Sequence, residues 1–262
     1  MIFFNEKEKK LNDQFLEKGY VIKKVENKKS LNFILNLIKK NTKKFSKKKI
    51  NNVNLNYFHK NISLNDLNKI RLKLIRAIND NKKIKYHYFN LARESVYALC
   101  GNELMMQKKL NLSIQLPKDK TSLLPIHSDV WSGDSPYELN LWVPLVDCCK
   151  TKSMFILKKK YLPYLNLKMK NKKIKNSKDI FNIVKDKVEW IDIKYGEFLI
   201  FDQTIPHGNV TNKEATTRFS LNCRFKNLFT PYSDKRIGEF FEPITIRAST
   251  HIGNDFSFPF VD

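Results

Sequence analysis

A histidine and an aspartate lie two positions apart, at His127 and Asp129, and a second histidine, His207, follows 80 residues later. On an extended strand, side chains two positions apart point to the same side, so His127 and Asp129 can reach one ion. His207 follows a strand-like segment at 196–201 and would have to reach that ion from a neighbouring strand. The spacing therefore predicts a fold that brings two distant strand ends together.

Two imidazoles and one carboxylate are a sufficient ligand set for a non-haem iron(II), and they leave other faces of the metal open. We predict that His127, Asp129 and His207 bind iron(II) and carry the catalysis. The other three histidines have no carboxylate two positions later, and we expect packing or surface roles for them: His59, His87 and His251.

Arg218 stands 11 positions after His207 and begins a segment in which polar and apolar residues alternate. The polar face consists of Arg218, Ser220, Asn222 and Arg224. A guanidinium on a buried face is costly without an anion, and its planar fork matches a carboxylate. We predict that Arg218 binds the dicarboxylate 2-oxoglutarate with help from Ser220, and that Arg224 takes this role if Arg218 faces elsewhere.

Weaker candidates for the same site lie on neighbouring strands. Asn140 and Trp142 share one face of a predicted strand, and Gln115 lies on another. The segment 131–138 directly follows Asp129 and is rich in turn formers, so we predict a loop over the metal. Its tryptophan and polar groups would suit a sugar ring, although an ordinary loop with a packed tryptophan has the same composition.

The first 108 residues are predicted to be mainly helical. A helix that ends at Gly19 is expected to lead into a short strand. Apolar residues then recur at helical spacing in three segments, the last of them interrupted or capped at Gly101: 31–45, 64–78 and 91–106.

From residue 110 the pattern changes to the alternation that is typical of strands. Strand candidates are 110–116, 123–130, 139–146, 154–157, 188–193, 197–201 and 218–225. Short strands with few helices between them favour an antiparallel sandwich or jelly roll. The lysine-rich segment 158–187, with a helix around 179–184, is interpreted as an insertion. We predict one domain over 1–262, with a helical part at 1–108 packed on a jelly-roll core at 109–262.

The composition limits which binding partners and which cellular compartment we expect for this protein. The formal net charge is +23, but arginine occurs only seven times and lysine supplies most of the charge. We interpret it mainly as a diffuse surface charge, with attraction to a polyanion or an anionic membrane as the alternative. The four cysteines form no C-x-x-C pair and are expected to be reduced thiols in a cytoplasmic protein: Cys100, Cys148, Cys149 and Cys223. We expect no secretory signal and no membrane span.

The site motifs resemble the phytanoyl-CoA hydroxylase type of Fe(II)/2-oxoglutarate-dependent dioxygenase, as does the Gly-Tyr-Val-Ile segment at 19–22. The segments 111–117, 124–136 and 151–154 are more specifically similar to oxygenases encoded in sporadic clusters for surface-carbohydrate biosynthesis, and 222–225 and 238–241 add to this similarity. The resemblance covers residues 90–262 well and the helical start loosely.

The resemblance implies a double-stranded β-helix, which is a jelly roll with helices packed outside. It implies that iron(II) is held by His127, Asp129 and His207, and that Arg218 holds the distal carboxylate of 2-oxoglutarate. Oxygen would be consumed and succinate and CO₂ released, while a C–H bond of a small polar substrate is hydroxylated or otherwise oxidised. By the same resemblance, that substrate would be carbohydrate-related and belong to surface polysaccharide biosynthesis.

Three alternatives remain open at the level of sequence. Arg218 and Arg224 form an R-x₅-R pattern in a basic chain, as in AlkB-like nucleic-acid demethylases, but the preceding strand lacks that family's N-x-Y element. A cupin-like metal-binding protein without oxygenase activity is the second alternative. A basic, non-enzymatic binder of nucleic acid or membrane surfaces is the third.

Overall fold

The computed structural model describes residues 3–45, 52–171 and 174–259. Most of its helices precede the strands that carry the site. The helices are α1 Glu6–Lys18, α2 Lys28–Phe45, α3 Leu64–Asn79, α4 Ile84–Phe89, α5 Arg93–Cys100, α6 Leu162–Asn171, α7 Ser177–Val184 and α8 Ala248–Asp255. Among the described residues, no helix combines the length and apolar character that a membrane crossing requires.

Local sequence explains where the first helix begins and ends. Asn5 and Glu8 form a capping box, in which each side chain accepts a hydrogen bond from the other residue's backbone N–H. The helix ends at Gly19, whose φ of 77° lies in the left-handed region that favours glycine. The predicted helix end and the short strand after it are thereby confirmed.

The strands form two sheets in which all paired strands are antiparallel. They are β1 Tyr20–Lys24, β2 Leu104–Gln107, β3 Asn111–Gln115, β4 Glu138–Pro144, β5 Phe155–Leu157, β6 Val188–Trp190, β7 Glu197–Asp202, β8 His207–Gly208, β9 Arg218–Asn227 and β10 Phe241–Thr245. The larger sheet runs β1-β7-β4-β9-β2-β10, and β3 also pairs with β9. The smaller sheet runs β6-β5-β8. The predicted mainly antiparallel architecture with flanking helices is confirmed at this level.

The central strand β9 separates the hydrophobic core from the polar interior. Its apolar face is fully buried, with Phe219 packed edge-on against Phe58 at a ring-centroid distance of 5.2 Å. Tyr88 of α4 lies over the same sheet and donates a hydrogen bond of 2.7 Å to the carbonyl of Leu141. The polar face of β9 is therefore turned away from the helices, towards the smaller sheet.

The third predicted helix is confirmed as α5, with its C-cap at Gly101 as expected. Its continuation to 106 is wrong, because 104–107 is strand β2 and pairs with β9 and β10. The strand predicted at 123–130 is reduced to an isolated bridge at His127, and a 3-10 helix begins at Asp129. The segment 158–187 does lie between two strands, β5 and β6, and carries α6 and α7.

Candidate active site

The two histidines of the predicted metal site face each other across an antiparallel bridge. The amide of His127 donates to the carbonyl of His207 at 2.9 Å, and the amide of His207 donates back at 2.8 Å. A Cβ at Gly208 would lie 2.8 Å from the carbonyl oxygen of Leu124, so this close approach of the two chains requires glycine. Asp129 is fixed separately, by an amide hydrogen bond of 3.1 Å to the carbonyl of Gln203.

The ligand atoms of His127, Asp129 and His207 all lie within 4.8 Å of one another. Nε2 of His127 is 3.4 Å from Oδ1 of Asp129, and Nε2 of His207 is 4.0 Å from Oδ2. Each Nδ1 lies close to the carbonyl two residues earlier, at 2.8 Å from Pro125 and 3.0 Å from Ile205. These carbonyls can accept a hydrogen bond only from a protonated Nδ1. In the neutral imidazole, Nε2 then carries the lone pair that can bind a metal.

The three residues of the cluster have pKa values shifted in different directions. Burial lowers the pKa of His207 to about 4, so its imidazole is neutral. Burial also acts to lower the pKa of His127. The hydrogen bonds of His127 to Asp129 and to the carbonyl of Pro125, with the charge of Asp129, outweigh burial, so the pKa of His127 is raised. Burial alone would raise the pKa of Asp129, yet the neighbouring His127, His207 and Arg224 hold it well below its usual range.

Arg224 contacts the carboxylate of Asp129, a predicted metal ligand, rather than the cosubstrate position that we considered for it. Its Nη2 lies 3.1 Å from Oδ1 of Asp129, and its Nε lies 3.2 Å from Oδ1 of Asp134 and 2.6 Å from Oε1 of Gln203. Lys235 reaches the other oxygen of Asp134. Arg224 is thus paired with two carboxylates and an amide, which leaves Arg218 as the candidate for the dicarboxylate.

Arg218 is buried, with 3% of its surface exposed, and forms no ion pair with any residue in the described ranges. Its Nη2 donates to Oγ of Ser113 at 3.0 Å and its Nη1 to the carbonyl of Ser153 at 3.3 Å. Its Nε has no hydrogen-bond partner among the described residues, and neither has Oγ of Ser220. A buried charge without a counter-ion is costly, so a bound anion would stabilise this arrangement.

Both the triad and Arg218 line one cavity of about 580 Å³. This volume lies within the usual range for sites that bind small ligands. The cavity therefore combines a ligand set that suits iron(II) with a buried cation that suits a carboxylate of 2-oxoglutarate.

Of the four weaker site candidates, two line the cavity and two do not. Asn140 and Trp142 line the cavity, and Nδ2 of Asn140 donates to Oδ2 of Asp129 at 3.4 Å. Ser220 and Gln115 are buried beside the cavity rather than among its lining residues. Gln115 lies opposite Arg218 in the β3–β9 pairing and donates to the carbonyl of Val210 at 2.7 Å.

The loop 131–138 contributes to the site differently from the prediction. Ser132 and Asp134 line the cavity, whereas Trp131 is 44% exposed and does not. Trp131 lies in a 3-10 helix over Asp129–Ser132 rather than in an open loop. A sugar-stacking role for Trp131 therefore has no support in the geometry, and Trp142 is the tryptophan that reaches the cavity.

The three other histidines lie outside the triad. His59 contacts the hydroxyl of Thr217 at 3.0 Å, and His87 stacks on Phe33 at 3.9 Å between ring centroids. His251 lies on exposed α8. The first two therefore make packing contacts.

Sequence reasoning missed three residues that contact the predicted site: Ser113, Gln203 and Lys235. Ser113 had a signal, because it shares the polar face of β3 with Gln115. The other two act through contacts between segments far apart in the chain, for which the sequence contains no local pattern. Asp134 lies in the segment 131–138 that was predicted as a loop over the metal, but its pairing with Arg224 was not predicted.

Comparison with known proteins supports the fold. A scan against protein-family models found no match, and a search of curated proteins found none either. Among solved structures, the chain is similar to the non-heme monooxygenase ThoJ in its nickel complex, with 13% identity over 92% of this chain and 85% of that chain and a TM-score of 0.55. It is also similar to AviO1 from Streptomyces viridochromogenes Tue57, with 10% identity over 86% and 97% of the two chains and a TM-score of 0.56.

A looser likeness is to SnoN, the non-heme alpha ketoglutarate dependent epimerase from nogalamycin biosynthesis. It has 14% identity over 88% of this chain and 87% of that chain, with a TM-score of 0.47. The superpositions on ThoJ, which is a non-heme monooxygenase, and on AviO1 show that this chain shares the fold of these two proteins, and the His-Asp-His cluster lies within that fold.

Proposed function

We propose that this protein is an Fe(II)- and 2-oxoglutarate-dependent oxygenase that hydroxylates or otherwise oxidises a C–H bond of a small polar substrate. One observation carries the proposal: a His-Asp-His cluster and a buried arginine that has no counter-ion among the described residues line the same cavity. The cluster suits the metal, and the arginine suits the cosubstrate's distal carboxylate.

The chain's own residues would hold and shield the reactants. His127, Asp129 and His207 would ligate iron(II), while the carbonyls of Pro125 and Ile205 keep both imidazoles in the tautomer that offers Nε2. When bound, iron with 2-oxoglutarate and O₂ supplies the oxidising chemistry.

Two arginines would each bind a different carboxylate, one from the protein and one from the cosubstrate. Arg224 would hold Asp129 in place through Oδ1. Arg218 would bind and orient 2-oxoglutarate, with Ser113 positioning the guanidinium and Ser220 as a nearby hydroxyl. Because Arg224 is already paired, the two residues of the R-x₅-R pattern have different roles.

The substrate that we propose is carbohydrate-related, and the reaction would belong to surface-carbohydrate biosynthesis in the cytoplasm. The polar lining of the cavity supports this class, because it includes Asn111, Asn209 and Asn222 together with Trp142. Amides and an aromatic face are suited to hydroxyls and the apolar side of a sugar ring. The motif resemblance to the carbohydrate-cluster branch of the phytanoyl-CoA hydroxylase type supports the same assignment.

The double-stranded β-helix remains part of this proposal. Two antiparallel sheets with the site between them are compatible with it. In that fold β7, β4 and β9 of the larger sheet would face β8 across the metal.

The proposal is tested by measuring succinate formation from 2-oxoglutarate with Fe(II) and O₂, in the presence of a panel of nucleotide sugars, glycans and acyl thioesters. We expect succinate formation that a carbohydrate-related compound stimulates and that Asp129→Ala abolishes. Metal binding without 2-oxoglutarate turnover would support the cupin-like alternative. Stimulation by acyl thioesters alone would contradict the carbohydrate assignment.

A further inference from the structure

Four cationic side chains line the cavity: Arg71, Arg218, Arg224 and Lys235. Arg224 and Lys235 are each paired with carboxylates. The proposed function assigns Arg218 to 2-oxoglutarate. Of these lining cations, Arg71 is the one left without either a carboxylate or an assigned ligand.

Arg71 lies on α3 and is held from two sides by neutral acceptors. Its Nη2 donates to Oδ1 of Asn68 at 2.7 Å, and its Nη1 donates to Oγ of Ser122 at 3.5 Å. Asp119 is buried in the same loop as Ser122. Its Oδ1 accepts two hydrogen bonds of 2.7 Å from Thr121. Its Oδ2 has no hydrogen-bond partner among the described residues, and the carboxylate does not form an ion pair with Arg71. Among the described residues, Arg71 forms no ion pair within 4.0 Å.

This arrangement orients a guanidinium without neutralising it. Two of its five N–H donors are used, and the others remain available on a half-buried side chain at the cavity wall. Strand β3 packs against α3 and brings the amide of Asn111 to the same cavity. A planar, oriented guanidinium is a good match for an oxyanion.

We propose that Arg71 binds an oxyanion group of the substrate, either a phosphate or a carboxylate. The substrate is then an anionic sugar derivative rather than a neutral sugar. This inference deepens the proposed function and rests on it for the identity of the cavity as an active site. It also places the anion contact on α3 rather than on the lysine-rich segment 158–187, none of whose described residues lines the cavity.

The test is calorimetric titration of metal-free protein at about 150 mM salt, at which diffuse attraction to the lysine-rich surface is largely screened. The probes are inorganic phosphate, acetate, glucose 1-phosphate, glucuronate and neutral glucose. Wild type is compared with Arg71→Gln, with Arg71→Lys, which keeps the charge but loses the fork, and with Arg76→Gln. Arg76 is exposed on the same helix, so its variant makes the same change in net charge away from the cavity.

We expect at least one anionic probe to bind and glucose not to bind. Arg71→Gln should weaken that binding by about tenfold or more, Arg71→Lys by less, and Arg76→Gln by no more than about twofold. Glucose 1-phosphate and glucuronate distinguish a phosphate from a carboxylate as the preferred group. Binding of no anionic probe, or equal losses in the Arg71 and Arg76 variants, would overturn the inference.

A second measurement separates this inference from the proposed function. The affinity of the nickel-loaded protein for 2-oxoglutarate should be unchanged by Arg71→Gln. If Arg71→Gln weakens 2-oxoglutarate binding as much as a change at Arg218 does, Arg71 belongs to the cosubstrate site and the inference fails. Because the anion titration uses metal-free protein, its result does not depend on whether the protein turns over 2-oxoglutarate.

Discussion

His127 and His207 are joined as an antiparallel bridge pair through two backbone hydrogen bonds, although they lie 80 residues apart in the chain. Their backbones are therefore fixed relative to each other before any metal binds. A ligand pair that the fold already holds together loses little conformational entropy on binding a metal. Asp129, the third residue of the cluster, is held from a different direction by Arg224.

Replacing Arg218 should separate cosubstrate binding from protein stability. Arg218→Met removes a buried charge that has no counter-ion, so we expect a melting temperature of the ligand-free protein that is unchanged or higher. The same change should weaken 2-oxoglutarate binding on the order of a hundredfold, because the carboxylate loses a charged hydrogen-bonding partner. Calorimetry on the nickel-loaded protein measures the affinity, and thermal denaturation measures the stability.

Ser220→Ala is the matched control for Arg218→Met, and we expect a much smaller loss of 2-oxoglutarate affinity. A large fall in the melting temperature of Arg218→Met, with unchanged 2-oxoglutarate affinity, would instead make Arg218 a structural residue.

Arg224→Gln should weaken metal binding although Arg224 is not itself a metal ligand. The change removes the 3.1 Å contact that holds Oδ1 of Asp129, and loss of such a supporting contact lowers metal affinity by about tenfold to a hundredfold. Nickel titration monitored by calorimetry measures the effect. Lys235→Gln, which removes a contact to Asp134 only, should have a smaller effect. Equal losses in the two variants would contradict a specific role for Arg224.

Metal affinity should depend on pH. The slope of the logarithm of the affinity against pH gives the number of protons that the metal displaces from the triad. The pKa of His127 is raised above 6.5, whereas burial lowers the pKa of His207 to about 4. Between these values the metal-free protein carries one proton at His127 and none at His207, and Asp129 stays ionised because its pKa is lowered. Since a ligand must lose its proton to bind metal, affinity should fall as pH falls, by about one decade per pH unit between about pH 5 and 6.5.

Nickel or cobalt titrations across that pH range measure the slope. A slope near two decades per pH unit would mean that His207 also titrates there, and it would contradict the burial argument for that residue.

The charge of +23 should act as a diffuse property of the surface. We expect non-specific binding of duplex DNA at low salt that disappears near physiological salt, because it depends on counter-ion release alone. Fluorescence polarisation with labelled duplexes of different sequence measures this. Tight, sequence-selective binding that survives physiological salt would favour the AlkB-like alternative.

Sequence reasoning succeeded where a local pattern decides the structure. The alternation in 218–225 predicted β9, and the structure buries its apolar residues while Arg218, Asn222 and Arg224 line the cavity. Helical spacing likewise predicted α2 and α3, which bury Ile34 and Leu74. In these segments the periodicity of hydrophobic residues matches the periodicity of the backbone.

Sequence reasoning failed where contacts between distant segments decide the structure. The Leu-Met-Met-Gln sequence of β2 has good helix formers, but pairing with β9 and β10 on both sides overrides that propensity. The partnership of Arg224 with Asp129 and Asp134 likewise depends on three chain segments meeting, so the sequence could identify the arginine without showing its partner.

A crystal structure of the protein grown without oxygen in the presence of Fe(II) and 2-oxoglutarate tests the central claim most directly. The account predicts one metal bound by Nε2 of His127, Nε2 of His207 and a carboxylate oxygen of Asp129, with the distal carboxylate of 2-oxoglutarate on Arg218. A metal bound elsewhere, or 2-oxoglutarate with no contact to Arg218, would contradict it.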